Sequence, residues 1–232
     1  MQKKQMNVRT MVILVAALMF ASNATIAAQK SKQKRQAAKP NTLRPREAKQ
    51  GFKLLFDGKS LENFKSAKKD ASVPACWIVK DGQIICTARE SRPEGVRGSI
   101  VTQEQYANFD FRFQYKIDPD FQAKGNSGVK YFAYPNTELG LEYQLFDHDA
   151  EVKGPHAVGD LYDLLPATER AGRPRGRWNN VRIVARGKTV QHWLNNKKIL
   201  EFERGSESFR AAVDKSKFKK HVRFGEAKQG PI

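Results

Sequence analysis

Cysteine, acidic residues and long apolar runs are all scarce in this 232-residue chain, and each scarcity argues against a class of protein. The longest apolar run, residues 11–21, has about 11 positions. A helix needs roughly 20 to cross the hydrocarbon core, so no stable membrane insertion is expected. The run follows Lys3, Lys4 and Arg9 and precedes small residues up to Ala28, the three-part layout of a secretory signal. Residues 1–28 are therefore expected to be a cleaved leader, and the mature protein to be secreted or periplasmic. No cysteine follows the run, which argues against a lipid-anchored precursor with a thiol at its new N-terminus. The cysteines are Cys76 and Cys86, flanking Asp81-Gly82, a dipeptide suited to a tight hairpin turn. A two-residue turn there pairs Lys80 with Gln83 and Cys76 with Thr87. The cysteines then point to opposite faces, and a disulfide between them requires a bulge or a different register.

The shortage of acid leaves 42 basic residues against 24 acidic, a net charge of +18. Eleven basic residues and one acidic residue precede position 51, leaving 31 against 23, or +8, for the remainder. Such a balance suits nucleic acid or an anionic polymer. No nucleic-acid motif accompanies it, so the charge is read as a solvated leader and no nucleic-acid partner is expected. Residues 29–50, rich in Lys, Arg, Gln, Ala and Pro without apolar periodicity, read as a basic disordered linker. Residues 51–232 leave room for one domain with a sizeable core, and no internal repeat divides them.

What the chain does contain is a β rhythm. Runs of β-branched and aromatic residues recur at 52–56, 76–79, 83–87, 99–102, 109–117, 128–134, 141–147, 161–165, 178–185, 189–194 and 199–202, between Gly, Pro, Asn and Asp. Residues 109–117 alternate strictly, apolar at odd positions and polar at even ones, as in a strand with one buried face. About eleven strands suggest two packed sheets. At most one short helix is expected, at 208–216, with Ser208 as cap and Phe209, Ala212 and Val213 as the apolar stripe.

The segment Gly140-Leu141-Glu142-Tyr143-Gln144-Leu145-Phe146-Asp147 carries the most chemistry. As a strand it puts Glu142, Gln144 and Phe146 on one face, a carboxylate and a carboxamide suited to sugar hydroxyls. The paired carboxylates of laminarinase-type glucanases are missing, because Gln144 and Phe146 stand where acids are needed. Ordinary two-carboxylate glycoside hydrolysis is thereby disfavoured. His192 is a second acid–base candidate, with a structural hydrogen bonder as the alternative. Lys130 is a candidate for stabilising negative charge, with a plain surface lysine as the alternative, and Gln144, Tyr162 and Trp193 are candidate sugar contacts, the last equally a core residue. Asp147, His148, Asp149, Glu151 and His156 gather after the key strand. Their spacing matches no standard metal loop, so no metal or cofactor is assigned, and a divalent cation stays open beside a solvated loop.

Several motifs occur in a telling order: Leu55-Phe56-Asp57-Gly58-Lys59-Ser60-Leu61, Asn126-Ser127-Gly128-Val129, Glu142-Tyr143-Gln144, Leu161-Tyr162-Asp163-Leu164, Trp178-Asn179 and His192-Trp193-Leu194-Asn195. In this order the chain resembles the 3-keto-disaccharide hydrolase domain family over nearly all of residues 51–232. The resemblance implies an all-β fold, a concanavalin-like sandwich or jelly roll of two antiparallel sheets with a carbohydrate site on its concave face. It also implies cleavage of 3-keto glycosides. A ketone at C3 acidifies the C2 hydrogen, so a base can form an enolate whose collapse expels the C1 group before water adds. Glu142, in the Glu-Tyr-Gln motif, is then the first candidate for the base. The alternative is a non-catalytic carbohydrate-binding module on the same sandwich. A third reading is a basic protein that binds anionic polymer through its leader. Two departures stand out. Asn196 occupies a turn position where many relatives have Gly, which Asn tolerates. After residue 232 relatives usually continue into another strand, so the domain is expected to be truncated, with a neighbouring strand left unpaired.

Overall fold

A computed structural model describes residues 39–69 and 71–232. The expected leader, 1–28, and positions 29–38 of the expected linker lie outside the described residues. The chain divides into two compact units, Met1–Leu54 and Leu55–Ile232. In the first, Pro45–Lys49 forms a short helix, α1, so part of the stretch read as disordered linker is helical. Proline suits its first turn, and the Glu47 carboxylate accepts the Arg44 N–H at 2.9 Å.

The second unit is built of antiparallel ladders. Its strands are β1 (Phe64–Ser66), β2 (Trp77–Lys80), β3 (Gln83–Cys86), β4 (Ile100–Thr102), β5 (Phe109–Tyr115), β6 (Asn126–Tyr131), β7 (Leu141–Phe146), β8 (Asn179–Arg186), β9 (Thr189–Leu194) and β10 (Lys197–Glu203). The four-stranded sheet runs β10-β9-β8-β5, while β6-β7, β2-β3 and β1-β4 form two-stranded ladders. β1 was not expected, and residues 52–56, expected as a strand, form none. Residues 161–165 form bridges rather than a full strand: Leu161 pairs with Tyr143, and the Tyr162 N–H donates to the Glu142 carbonyl at 2.9 Å. The segment thus lies beside β7 as a third line of the β6-β7 layer.

The core forms where the two layers face. Alternation puts Val181, Ile183 and Ala185 of β8, and Val190, His192 and Leu194 of β9, on the inner face of the four-stranded sheet, all buried. Opposite them lie Tyr131 of β6, Leu141, Tyr143 and Leu145 of β7, and Leu161. Phe109 of β5 meets Tyr131 edge-on with ring centroids 6.1 Å apart. This is the expected all-β sandwich.

The expected helix at 208–216 is α2, Glu207–Asp214, capped by Ser206 rather than Ser208. Ser206 Oγ accepts the Phe209 N–H at 3.3 Å, and the Phe209 ring stacks on Phe202 of β10 at 5.8 Å. With α1 the described residues hold two short α-helices, one more than expected, the extra one lying before the sandwich.

Hairpin chemistry follows the sequence closely. Asp81 (φ 51°) and Gly82 (φ 70°) both adopt the left-handed region, Lys80 pairs with Gln83, and the Thr87 N–H donates to the Cys76 carbonyl at 2.9 Å. Both cysteines are free thiols, Cys76 buried and Cys86 exposed. Between β9 and β10, Asn195 (φ 49°) and Asn196 (φ 71°) make the analogous turn, so Asn serves where glycine was the expected residue. At the other end of the domain, residues 230–232 pair with the segment around 102–106. Gly230 bridges Tyr106, the Thr102 N–H donates to the Ile232 carbonyl at 2.8 Å, and the Ile232 N–H donates to Thr102 Oγ1 at 3.1 Å.

Candidate functional site

The outer face of the β6-β7 layer, turned away from the core, collects most of the expected site residues. Lys130 of β6 pairs directly with Glu142 of β7, and the backbone bond from Tyr162 sets that residue on the other side of Glu142. Lys130, Glu142 and Tyr162 therefore form one cross-strand row, since paired residues of adjacent strands project to the same face. The next row holds Gly128 and Gln144, and Asn126 follows along β6.

Gly128 has a specific purpose here. A Cβ at this position would overlap Glu142 Oε1, so the carboxylate lies across bare backbone that any other residue would deny it. Among the described residues no side chain hydrogen-bonds this carboxylate. Partial burial raises the Glu142 pKa above its ordinary 4.5, while the charges of Lys130 and then Lys217 pull it down. Gln144 is 1% exposed; its Nε2 donates to Asn126 Oδ1 at 3.2 Å, and its Oε1 is buried with no partner among the described residues. A buried, unpartnered carbonyl oxygen calls for a hydroxyl donor.

Two of the expected site residues, His192 and Trp193, do not join this group. His192 is 0% exposed in the core between Tyr131, Tyr143 and Phe202. Its Nδ1 faces the Gly159 carbonyl at 2.9 Å and so carries the hydrogen, leaving Nε2 to accept the Tyr131 hydroxyl at 2.7 Å. Burial lowers its pKa to about 4. With both nitrogens engaged and the ring fully buried, His192 packs in the core and is not brought to the outer face that carries Glu142. Trp193, its neighbour on β9, points out of the opposite side of the sandwich, with Arg182 5.3 Å over its ring and its Nε1 donating to Gln191 at 3.0 Å. Two sheets whose mid-planes are ~10 Å apart separate it from Glu142, so one small sugar cannot touch both.

The acidic and histidine cluster after β7 disperses. Asp147 is committed to Arg175 at 2.6 and 2.8 Å and to the Gly125 N–H at 2.8 Å, which holds its carboxyl below the ordinary value. His148 lies 3.5 Å from Asp149, whereas His156 Nε2 lies 3.0 Å from Asp163. Among the described residues no three His, Cys, Asp or Glu side chains converge as metal ligands. A shallow depression lined by Phe146, Asp147, His148 and Arg175 lies at the end of β7, but its carboxylate is already neutralised by arginine.

Sequence reasoning missed Lys217 and Asp163. Asp163 sits within the Leu-Tyr-Asp-Leu motif, and its left-handed backbone (φ 62°) suits Asp more than most residues. Nothing local marks Lys217, which the fold brings to Tyr162 from 55 positions further along the chain.

Known proteins resemble this domain in sequence and in fold. A curated relative, the 3-keto-disaccharide hydrolase of Bacteroides thetaiotaomicron, is 26% identical over 190 residues, covering 72% of this chain and 64% of its own. The chain thus spans about two thirds of that relative's length. A crystal structure of a Parabacteroides distasonis protein proposed to be a glycosyl hydrolase is 28% identical and superposes with a TM-score of 0.70, covering 83% of this chain and 91% of its own. A second structure from the same organism, 21% identical with 62% of each chain covered and a TM-score of 0.50, shares the fold. No helix among the described residues is long and apolar enough to cross a membrane. Residues 51–232 match the 3-keto-alpha-glucoside-1,2-lyase-like domain, and the chain belongs to that family.

Proposed function

We propose that this protein is an exported carbohydrate-active enzyme that cleaves 3-keto glycosides or disaccharides by base-initiated elimination and hydration. The observation that carries the reading is the Glu142 carboxylate itself: half-buried, free of hydrogen-bonding side chains among the described residues, seated over Gly128 and flanked by cations. It is the only carboxylate in its row, as expected where one base does the work and no second carboxylate serves as nucleophile. Family membership and the Bacteroides relative support the substrate class.

In this mechanism Glu142 takes the proton from C2 of a 3-keto sugar. The released electron pair forms the C2–C3 double bond and places charge on the C3 oxygen. When the carbonyl re-forms, that pair shifts to C1–C2 and expels the oxygen at C1. The protonated Glu142 returns its proton to the leaving oxygen, and water then adds at C1. Lys130, opposite Glu142 in the ladder, keeps the carboxylate ionised against the cost of burial. Gln144 offers its unpartnered Oε1 to a sugar hydroxyl, and Tyr162 lines the same row.

The test is aglycone release from a 3-keto glucoside and from its unoxidised parent. Turnover of the keto substrate alone is the expected result; sugar binding without turnover of either would establish a binding module instead. Gly128→Ala is expected to lower turnover of the keto substrate by about 10- to 100-fold, because the added methyl displaces Glu142 Oε1 from its seat. Thermal unfolding should hardly change, since the displaced atom is the end of a flexible side chain. Full activity in this variant would show that the position of the carboxylate over Gly128 is immaterial.

A further inference from the structure

Lys130 is one cation beside Glu142, and the fold supplies another. Lys217 opens the short 3₁₀ turn Lys217–Lys220, and its ammonium lies 4.2 Å from the centroid of the Tyr162 ring and 5.1 Å from that of Phe218. Among the described residues no carboxylate lies within ion-pair distance of Lys217 or Lys130. An aromatic face attracts an ammonium without neutralising it, so the charge stays available to a ligand. Lys217 is exposed, and its field strengthens once a bound sugar excludes water.

The backbone that carries Lys217 is held by a hydrogen bond of its own. The Lys217 N–H donates to Asp163 Oδ2 at 2.9 Å, and the other oxygen of Asp163 lies 3.0 Å from His156 Nε2. His156 Nδ1 faces the Lys153 carbonyl at 2.8 Å, and the ring packs 4.9 Å from Tyr162. One carboxylate therefore ties the loop that carries Tyr162 to the turn that carries Lys217. In cross-strand order the face reads Lys130, Glu142, Tyr162, with Lys217 over the tyrosine. Three lines of backbone at about 4.8 Å spacing span roughly 10 Å, so Lys130 stands on one side of Glu142 in the row and Tyr162, with Lys217 over it, on the other.

We propose that Lys217 is a catalytic residue that faces the keto oxygen of the bound sugar and takes up the negative charge developing there as Glu142 removes the C2 proton, with Asp163 and His156 as positioning residues. The proposal rests on the elimination reading above. Both lysines help to keep the base ionised, and Lys217 in addition stabilises the enolate.

The test measures steady-state kinetics on a 3-keto glucoside for the full chain, Lys217→Met, Lys217→Arg and Asp163→Asn, beside thermal unfolding of each. Lys217→Met is expected to lose about 10²–10³-fold in kcat, with KM within about threefold, as when one donor to a developing oxyanion is removed. Lys217→Arg should recover most of that loss, and Asp163→Asn should show a smaller fall in kcat. The exposed side chain leaves the unfolding temperature of Lys217→Met unchanged. The proposal is overturned if Lys217→Met keeps kcat within about threefold of the parent, if only KM rises, or if activity and unfolding temperature fall together and Arg fails to rescue. No turnover of the keto substrate by the unaltered chain would overturn the elimination reading, and this proposal with it.

Discussion

Glu142→Gln is expected to slow turnover of a 3-keto glucoside by about 10²–10⁴-fold, the range general bases contribute, while unfolding no earlier than the parent at pH 7. The amide matches the carboxylate in size and stays over Gly128, but it cannot take a proton from C2. The stability half follows from linkage. Burial raises the folded-state pKa of Glu142 above the ordinary 4.5, with Lys130 and Lys217 offsetting part of the effect. The folded state therefore binds the proton more tightly than the unfolded state. The associated stability is fully present below pH 4.5 and is lost as pH rises through the raised value, so by neutrality the ionised carboxylate is a net cost. Glutamine carries no such cost. Kinetics and thermal melts at pH 4 and pH 7 check both halves. A joint loss of activity and unfolding temperature would make Glu142 a structural residue.

The same shift predicts the shape of the pH profile. Activity should fall on the acid side along a single limb lying above pH 4.5, because only the ionised carboxylate is a base. Residual activity of the Gln variant should lack that limb. If the limb persisted unchanged, another group would be the base. The site is thus arranged so that burial makes Glu142 a better proton acceptor while two lysines keep it ionised, a compromise that neither influence achieves alone.

How much of this was legible in the chain depends on whether the signal was local. The hairpin at Asp81-Gly82 was legible because positive φ is a property of the dipeptide itself, and the same physics let Asn195-Asn196 turn the chain without glycine. The row Lys130–Glu142 was half legible. Alternation assigns each residue a face, but only the ladder register places Lys130 opposite Glu142 rather than one step away. His192 and Trp193 show the limit. Adjacent strand residues necessarily point to opposite faces, so they could not both belong to one small site, and alternation alone does not say which face is core. Residues 52–56 carry β-formers yet form no strand, since β propensity expresses packing against neighbours rather than an intrinsic preference. Lys217 was invisible because its role arises only when α2 and the following turn fold back over Tyr162.

Replacing His192 with Ala is expected to destabilise the fold by about 3–5 kcal/mol, as for other large-to-small changes in a packed core. The ring touches Tyr131, Tyr143 and Phe202, and its loss leaves the Tyr131 hydroxyl and the Gly159 carbonyl buried without their partner. For a domain of this size, 1 kcal/mol corresponds to roughly 2–4 °C, so the unfolding temperature should drop by about 10 °C. The imidazole also imposes a pH dependence. Its folded pKa of about 4 lies below the ordinary 6.5, so the unfolded state binds the proton more tightly and stability rises with pH. On the order of 3 kcal/mol present above pH 6.5 is lost as pH falls toward 4, because a charged imidazolium cannot accept from Tyr131 or find water in the core. His192→Gln should fold less stably than the parent at neutral pH but lose little further stability between pH 6.5 and 4. Below its unfolding temperature, either variant should retain kcat within a few-fold, because the side chain lies on the core face of its sheet, across the β6-β7 layer from Glu142. A melt that stayed flat between pH 6.5 and 4 in the parent would show that the ring is not held neutral. A folded His192→Ala protein with kcat reduced by 10³ would return His192 to the chemistry.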